Sequence, residues 1–155
     1  MLGTCGEASH PESIPAHPTS TEEASVEART LHLTVLPLLL SVCQLARDAA
    51  VPEWAQKGAF VAAVRTDEEL SLVCPAHMVP PHVRAHGPWR ALKVRGPLDF
   101  ALVGVLLTLL TPLAEAGISV FALSTYNTDY ILVPADRLDA AIRALRAAGH
   151  QVHVP

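Results

Sequence analysis

Polar and apolar positions alternate from Leu31 to Leu36, with Leu31, Leu33 and Val35 on one side, as in a strand with one buried face. Pro37 interrupts the pattern, and Leu38 to Leu45 follows as a second apolar, strand-like run. Pro52-Glu53-Trp54-Ala55-Gln56 predicts one helical turn opening on proline. Phe60–Val64 and Leu70–Val73 are β-rich runs on either side of the polar turn Thr66–Glu69. Ala76–Pro88, with three prolines and three histidines, reads as a connector.

Beyond it the period changes. Trp89–Val94 alternates apolar with basic residues and predicts a strand that Gly96-Pro97 breaks. Leu98–Ala116 predicts a helix with Gly117 suited to the position after its end. Ile118–Leu123 and Tyr130–Val133 read as two strands. Pro134–Ala148 predicts a second helix, with Leu138, Ile142 and Leu145 opposite Arg137, Arg143 and Arg146. Gly149 ends it, and Gln151–Val154 is a short last strand. The order β-α-β-β-α-β is the ferredoxin-like arrangement, so the fold class is α+β.

Charge sharpens the division of the chain. Net charge is -4, yet residues 1–28 carry five acids and no Lys or Arg, which leaves the remainder near +1. The same stretch is rich in Pro, Ser and Thr without helical or strand period, and predicts a disordered tail. A nearly neutral body speaks against nucleic acid as the partner, because phosphate contacts need clustered Lys and Arg. Three cysteines at wide spacing, Cys5, Cys43 and Cys74, do not form a disulfide framework. No secretory signal pattern is visible. The apolar run Phe100–Ala114 contains Pro112 and is shorter than the roughly 18 residues a membrane span needs. The expected location is cytoplasmic, with no membrane contact.

Between the last two central strands lies Ser124-Thr125-Tyr126-Asn127-Thr128-Asp129, six hydrogen-bonding side chains without a glycine. A tight hairpin needs only about two turn residues. Together with Trp89–Phe100 ("WRALKVRGPLDF"), Pro112–Val133 ("PLAEAGISVFALSTYNTDYILV") and Glu68–Pro75 ("EELSLVCP"), this stretch resembles the ACT-domain family related to the aspartokinase regulatory region. That family includes small bacterial proteins with two ACT lobes and the cytosolic arginine sensor of animals. The resemblance implies three parts: a tail over 1–28, a degenerate, strand-rich ACT-like lobe over 29–86, and a C-terminal ACT domain over 87–155. It implies a non-enzymatic regulatory protein that binds an amino acid at an interface between lobes. A homodimer and a regulated partner protein are implied with it, and no cofactor is expected.

The walls that the resemblance assigns to the ligand are Gly96, Pro97, Leu98, Asp99 and Phe100 on one side, and Ser124, Thr125, Asn127, Thr128 and Asp129 on the other. The chemistry suits a free amino acid. A turn leading into a helix N-terminus offers N–H groups to a carboxylate. Asp99 or Asp129 can accept from an ammonium. Each residue has an ordinary use as well: Asp99 as a helix cap, Asp129 and Asn127 as turn residues bonded to their own backbone, Gly96 as a structural glycine. An oligomerisation module without ligand is the form the chain would take if Phe100 or Tyr126 filled the pocket.

"CPAHMVPPHVRAH" supports a rival reading as a metal-binding protein, with Cys74, His77, His82 and His86 as candidate zinc ligands in an unfamiliar spacing. His150 and His153, at the chain end, are expected to face solvent. The apolar helix has no solvent-facing stripe and is expected to pack on the first lobe or on another subunit. No activated nucleophile, phosphate loop or carboxylate pair points to catalysis.

Overall fold

The computed structural model describes residues 29–155, so the tail expected over 1–28 lies outside the described residues. The elements follow as β1 (His32–Ala46), α1 (Glu53–Gln56), β2 (Ala62–Arg65), β3 (Glu69–Pro75), β4 (Arg84–Val94), α2 (Val105–Glu115), β5 (Phe121–Ser124), β6 (Asp129–Pro134), α3 (Leu138–Ala147) and β7 (Gln151–His153). All seven strands join one sheet, ordered β2-β3-β1-β4-β6-β5, with β7 pairing β1 off that path.

Strand β1 runs straight through Pro37, where the sequence predicts a break. Proline cannot donate to a ladder and is accommodated at an irregularity. The β1–β4 register accordingly shifts between Val35 and Leu39. The Arg90 guanidinium donates to the Leu36 carbonyl at 3.1 Å, giving that irregular stretch a polar partner.

The length of β1 gives it three neighbours, β3, β4 and β7. The start of β1, His32 to Thr34, lies parallel to β7, while Leu40 to Ala46 pairs with β3. β4 pairs with β1 along most of its length and with β6 from Trp89 to Lys93. The C-terminal β-α-β-β-α-β unit is therefore β4-α2-β5-β6-α3-β7, as the periodicities predict. Its last strand is reached through a strand from the other end of the chain. β4 begins at Arg84, inside the stretch the sequence assigns to a connector, because Arg84, Ala85 and His86 are recruited by pairing with Gln44, Cys43 and Val42.

The second correction concerns α2. The sequence predicts a helix from Leu98, whereas the helix starts at Val105. Gly104 takes φ +81°, the left-handed conformation that glycine adopts freely, and separates helix from loop. Upstream, Asp99 closes a turn of its own. Its side chain accepts from the Ala101 N–H at 2.9 Å and its carbonyl from the Leu102 N–H at 3.0 Å.

Alternation along the strands builds a core on each face. On one face, Val105, Leu109 and Leu113 of α2 and Ala141, Ile142 and Leu145 of α3 cover Leu33, Val35, Leu92, Val94, Ile131 and Val133. Further along, α1 buries Ala55 against Cys43, Leu70, Leu72 and Cys74. Among the described residues, no helix covers the opposite face. Leu40, Val73, Trp89, Ala91 and Leu132 are buried there by the strands' own side chains, and Phe60 meets Tyr130 edge-on at 5.0 Å. Helix α2 does not bury its whole surface: Leu107 is 58% exposed, although Leu106 and Leu110 lean on the core. Among the described residues, no helix is long and apolar enough to cross a membrane.

His150 departs from expectation. It is buried, because its N–H is held by the Leu145 carbonyl just after α3 and the ring is drawn inward. The ring's Nδ1 accepts from the Leu31 N–H at 3.3 Å, and its Nε2–H donates to the Thr108 carbonyl at 3.0 Å. His153 is exposed, as expected.

Cys43 and Cys74 lie diagonally on one face of the β1–β3 pair, since Cys43 opposes Leu72 and Ser41 opposes Cys74. Both thiols are free and buried. Burial pushes both up, and the neighbouring Cys43 adds to the effect at Cys74, which rises from 9.0 to about 12. The neutral thiol is thus the form the fold favours. A pKa raised on folding contributes stability that is complete below the unfolded value and is lost as pH rises through the folded one. Chemical denaturation across pH 9 to 12 is expected to show stability falling, and falling less steeply in Cys74→Ala. Equal slopes in the two proteins would refute this assignment.

Candidate functional site

The two segments singled out by sequence do meet. The Leu98 N–H donates to the Asn127 carbonyl at 2.8 Å, and the Thr128 hydroxyl donates to the Val94 carbonyl at 2.5 Å. Gly96 is required at this seam. A Cβ there would stand 2.5 Å from the Asn127 oxygen and 3.2 Å from the Thr128 Cβ.

The polar insert is a closed loop between β5 and β6. The Thr125 N–H and hydroxyl both donate to the Thr128 carbonyl, at 2.8 and 2.9 Å. The Ser124 hydroxyl donates to Asp129 Oδ1 at 2.6 Å. Thr125 and Asp129 therefore tie their own loop. They also face a cleft of about 320 Å³, lined on the insert side by Ser124, Thr125, Tyr126, Thr128 and Asp129. The opposite wall is Leu98, Asp99, Phe100 and Leu102, and the floor is the start of α2 from Gly104 to Leu107.

Seven of the ten expected residues line this cleft: Leu98, Asp99, Phe100, Ser124, Thr125, Thr128 and Asp129. Gly96, Pro97 and Asn127 do not. Gly96 and the Asn127 carbonyl join the walls from behind, and Pro97 is exposed. Leu102, Gly104, Val105, Leu106, Leu107 and Tyr126 complete the lining outside the expected set. The glycine interrupting the apolar run was the signal that could have located the helix start.

The electrostatics are one-sided in a useful way. Among the described residues, no Lys, Arg or His lines the cleft, and two carboxylates do. Each has one oxygen engaged locally, at Ala101 N and Ser124 Oγ respectively. Helix α2 begins at the floor with no side-chain cap, so the N–H groups of its first turn have no intrahelical acceptor. Acceptors for a cation and donors for an anion thus share one cleft. Its rim is aromatic: Phe100 and Tyr126 meet edge-on at 5.2 Å, at 77% and 81% exposure. Neither ring fills the cleft.

The metal reading is corrected. Cys74 is buried in the core beside Cys43, whereas His77, His82 and His86 are exposed along the connector and β4. The His86 ring lies 5.4 Å from the Trp89 ring, tilted 45° to it. Strand alternation and burial send the thiol and the imidazoles apart, and among the described residues no group of three potential ligands converges.

The class defined by this architecture is a ferredoxin-like module with a cleft where the first strand turn meets the central hairpin. The family model described as an ACT domain matches residues 84–147, and a model described as an N-terminal domain matches 40–82. A crystal structure from Agrobacterium tumefaciens is 34% identical, covering 82% of this chain and 95% of that one, with a TM-score of 0.77. The chain belongs to the ACT-domain family. It is also similar to the Cytosolic arginine sensor for mTORC1 subunit 1 of Homo sapiens, 39% identical over 59 residues. That match covers 37% of this chain and 18% of the human protein, so the chain spans under a fifth of the curated relatives it matches. The structure of aspartokinase alpha and beta subunits shares the fold at 14% identity and a TM-score of 0.57, covering 78% of this chain and 99% of that one.

Proposed function

We propose that this protein is a non-enzymatic regulatory module that binds a free amino acid in the cleft between the Leu98–Leu107 segment and the Ser124–Asp129 loop. The observation that carries the reading is the pairing of two carboxylates, Asp99 and Asp129, with the uncapped start of α2 in one cleft free of basic side chains. The ammonium goes to the carboxylates and the ligand's carboxylate to the helix start. The absence of a base favours a ligand whose side chain is neutral or cationic, and the rings of Phe100 and Tyr126 suit a cation as well. The relative named as an arginine sensor makes arginine the first candidate.

The open aromatic rim and the exposed Leu107 and Val103 support a cleft that is completed by a second ACT lobe, in a homodimer. In this reading the ligand sits at the lobe interface, and the ligand-bound dimer acts on a partner protein in the cytoplasm. The division into lobes 29–86 and 87–155 is part of it, supported by the boundary between the two family matches.

A thermal-shift screen against the twenty amino acids tests the proposal. A ligand at a hundredfold excess over Kd adds ~2.7 kcal/mol, a rise of roughly 5–10 °C at this chain length. Asp129→Ala removes a charge-assisted contact and is expected to weaken binding about tenfold or more. No shift with any amino acid at millimolar concentration would sink the idea.

A further inference from the structure

The helix-free face of the sheet carries a second concavity, of about 650 Å³, over β7, the start of β1 and the end of β4. Its polar side chains form a grid set by register. Thr34 lies opposite both His153 and Lys93. In the next row His32 lies opposite Gln151, and its carbonyl accepts from the Arg95 N–H at 2.7 Å. Neighbouring strands are ~4.8 Å apart and alternate residues ~6.7 Å apart, so the grid covers about 10 by 7 Å.

Among the described residues, none of those lining this trough is acidic. Lys93, in β4, and Arg95, just past its end, stand two residues apart, with imidazoles on the two strands beyond. Cations gathered on one face of a sheet repel unless an opposite charge lies among them. Thr34 and Gln151 add a hydroxyl and an amide that can donate. Lys93 leans 5.9 Å over the Tyr130 ring, which marks one end of the trough.

We propose that this trough is a second ligand site, taking a small compact polyanion such as a diphosphate or tricarboxylate group. Lys93 and Arg95 supply the charge, Thr34 and Gln151 the orientation, and His32 and His153 the flanks. The site is separate from the amino-acid cleft: the two share no lining residue, and opposite charge suits them to opposite ligands. Two Lys/Arg charges within one strand turn are too few and too local to follow a nucleic-acid backbone.

Isothermal titration of the full chain with pyrophosphate and with citrate tests this. Binding of at least one probe is expected at low salt, weakening as salt is added. Lys93→Gln and Arg95→Gln alter exposed side chains and are each expected to weaken it at least tenfold, with the circular dichroism spectrum unchanged. Asp99→Asn, which alters only the other cleft, is expected to leave it unchanged. Absence of binding by both probes at millimolar concentration, or binding indifferent to both trough substitutions, overturns the proposal. Binding that appears only after Glu22, Glu23 and Glu27 are changed to Gln also overturns it, because the acidic N-terminal stretch would then be the trough's occupant.

Discussion

Gly96→Ala is expected to destabilise the protein by ~2–4 kcal/mol and to abolish the amino-acid binding proposed for the cleft. The reason is the seam between Val94–Leu98 and Asn127–Thr128. A methyl at residue 96 would overlap the Asn127 carbonyl oxygen at 2.5 Å, and a backbone oxygen in a closed loop cannot swing aside as a long side chain can. Overpacking of this kind costs ~1–3 kcal/mol. Relief by separating the strands would break the Leu98–Asn127 and Thr128–Val94 hydrogen bonds, worth ~1 kcal/mol each. The same seam holds both walls of the cleft at their spacing, so binding is lost along with stability. Urea unfolding gives the number, with the midpoint falling while the slope stays constant. A variant within ~0.5 kcal/mol of the parent would show that the seam yields easily.

Leu109→Ala is expected to cost ~2–5 kcal/mol, the range for emptying a leucine site in a core that collapses only partly. Leu109 is fully buried between α2 and the sheet, in a cluster with Leu113, Ile131 and Leu145. Leu107, two residues earlier and 58% exposed, supplies the contrast. In the ligand-free protein at concentrations too low for self-association, Leu107→Ala is expected within ~0.5 kcal/mol of the parent, as for other exposed positions. Equal losses at the two sites would mean that α2 is buried on both sides in solution.

These two residues also show how much could be read from the chain. Leu109 falls on the helical period, and α2 was predicted there. Its beginning was not, because Leu98 and Leu102 are apolar for a different reason: they pack on the core from a loop. Periodicity does not separate a loop that lines a cleft from the first turns of a helix. The break lay in Gly104. The central hairpin was legible because its strands are adjacent in sequence and its polar insert is conspicuous. The position of β1 between β7 and β4 was not, since no local pattern encodes pairing across more than a hundred residues. Pro37 argues for a strand end, and the strand continues through it because β1 pairs with β4 up to Val35 and again from Leu39. The buried ring of His150 escaped for the same reason: its partners, Leu31 and Thr108, come from distant segments. In the candidate site, Asp99 and Asp129 came from the family resemblance and a helix N-terminus was expected beside them; the structure moves that N-terminus from Leu98 to Val105.

Strands β1 and β4 each serve both ends of the sheet, and this has a thermodynamic consequence. Neither end can melt without stripping hydrogen bonds from a strand on which the other depends. Residues 29–155 are therefore expected to unfold as a single cooperative unit. A ligand bound in the proposed cleft would then stabilise the whole sheet, β2 and β3 included, and slow the opening of strands it never touches.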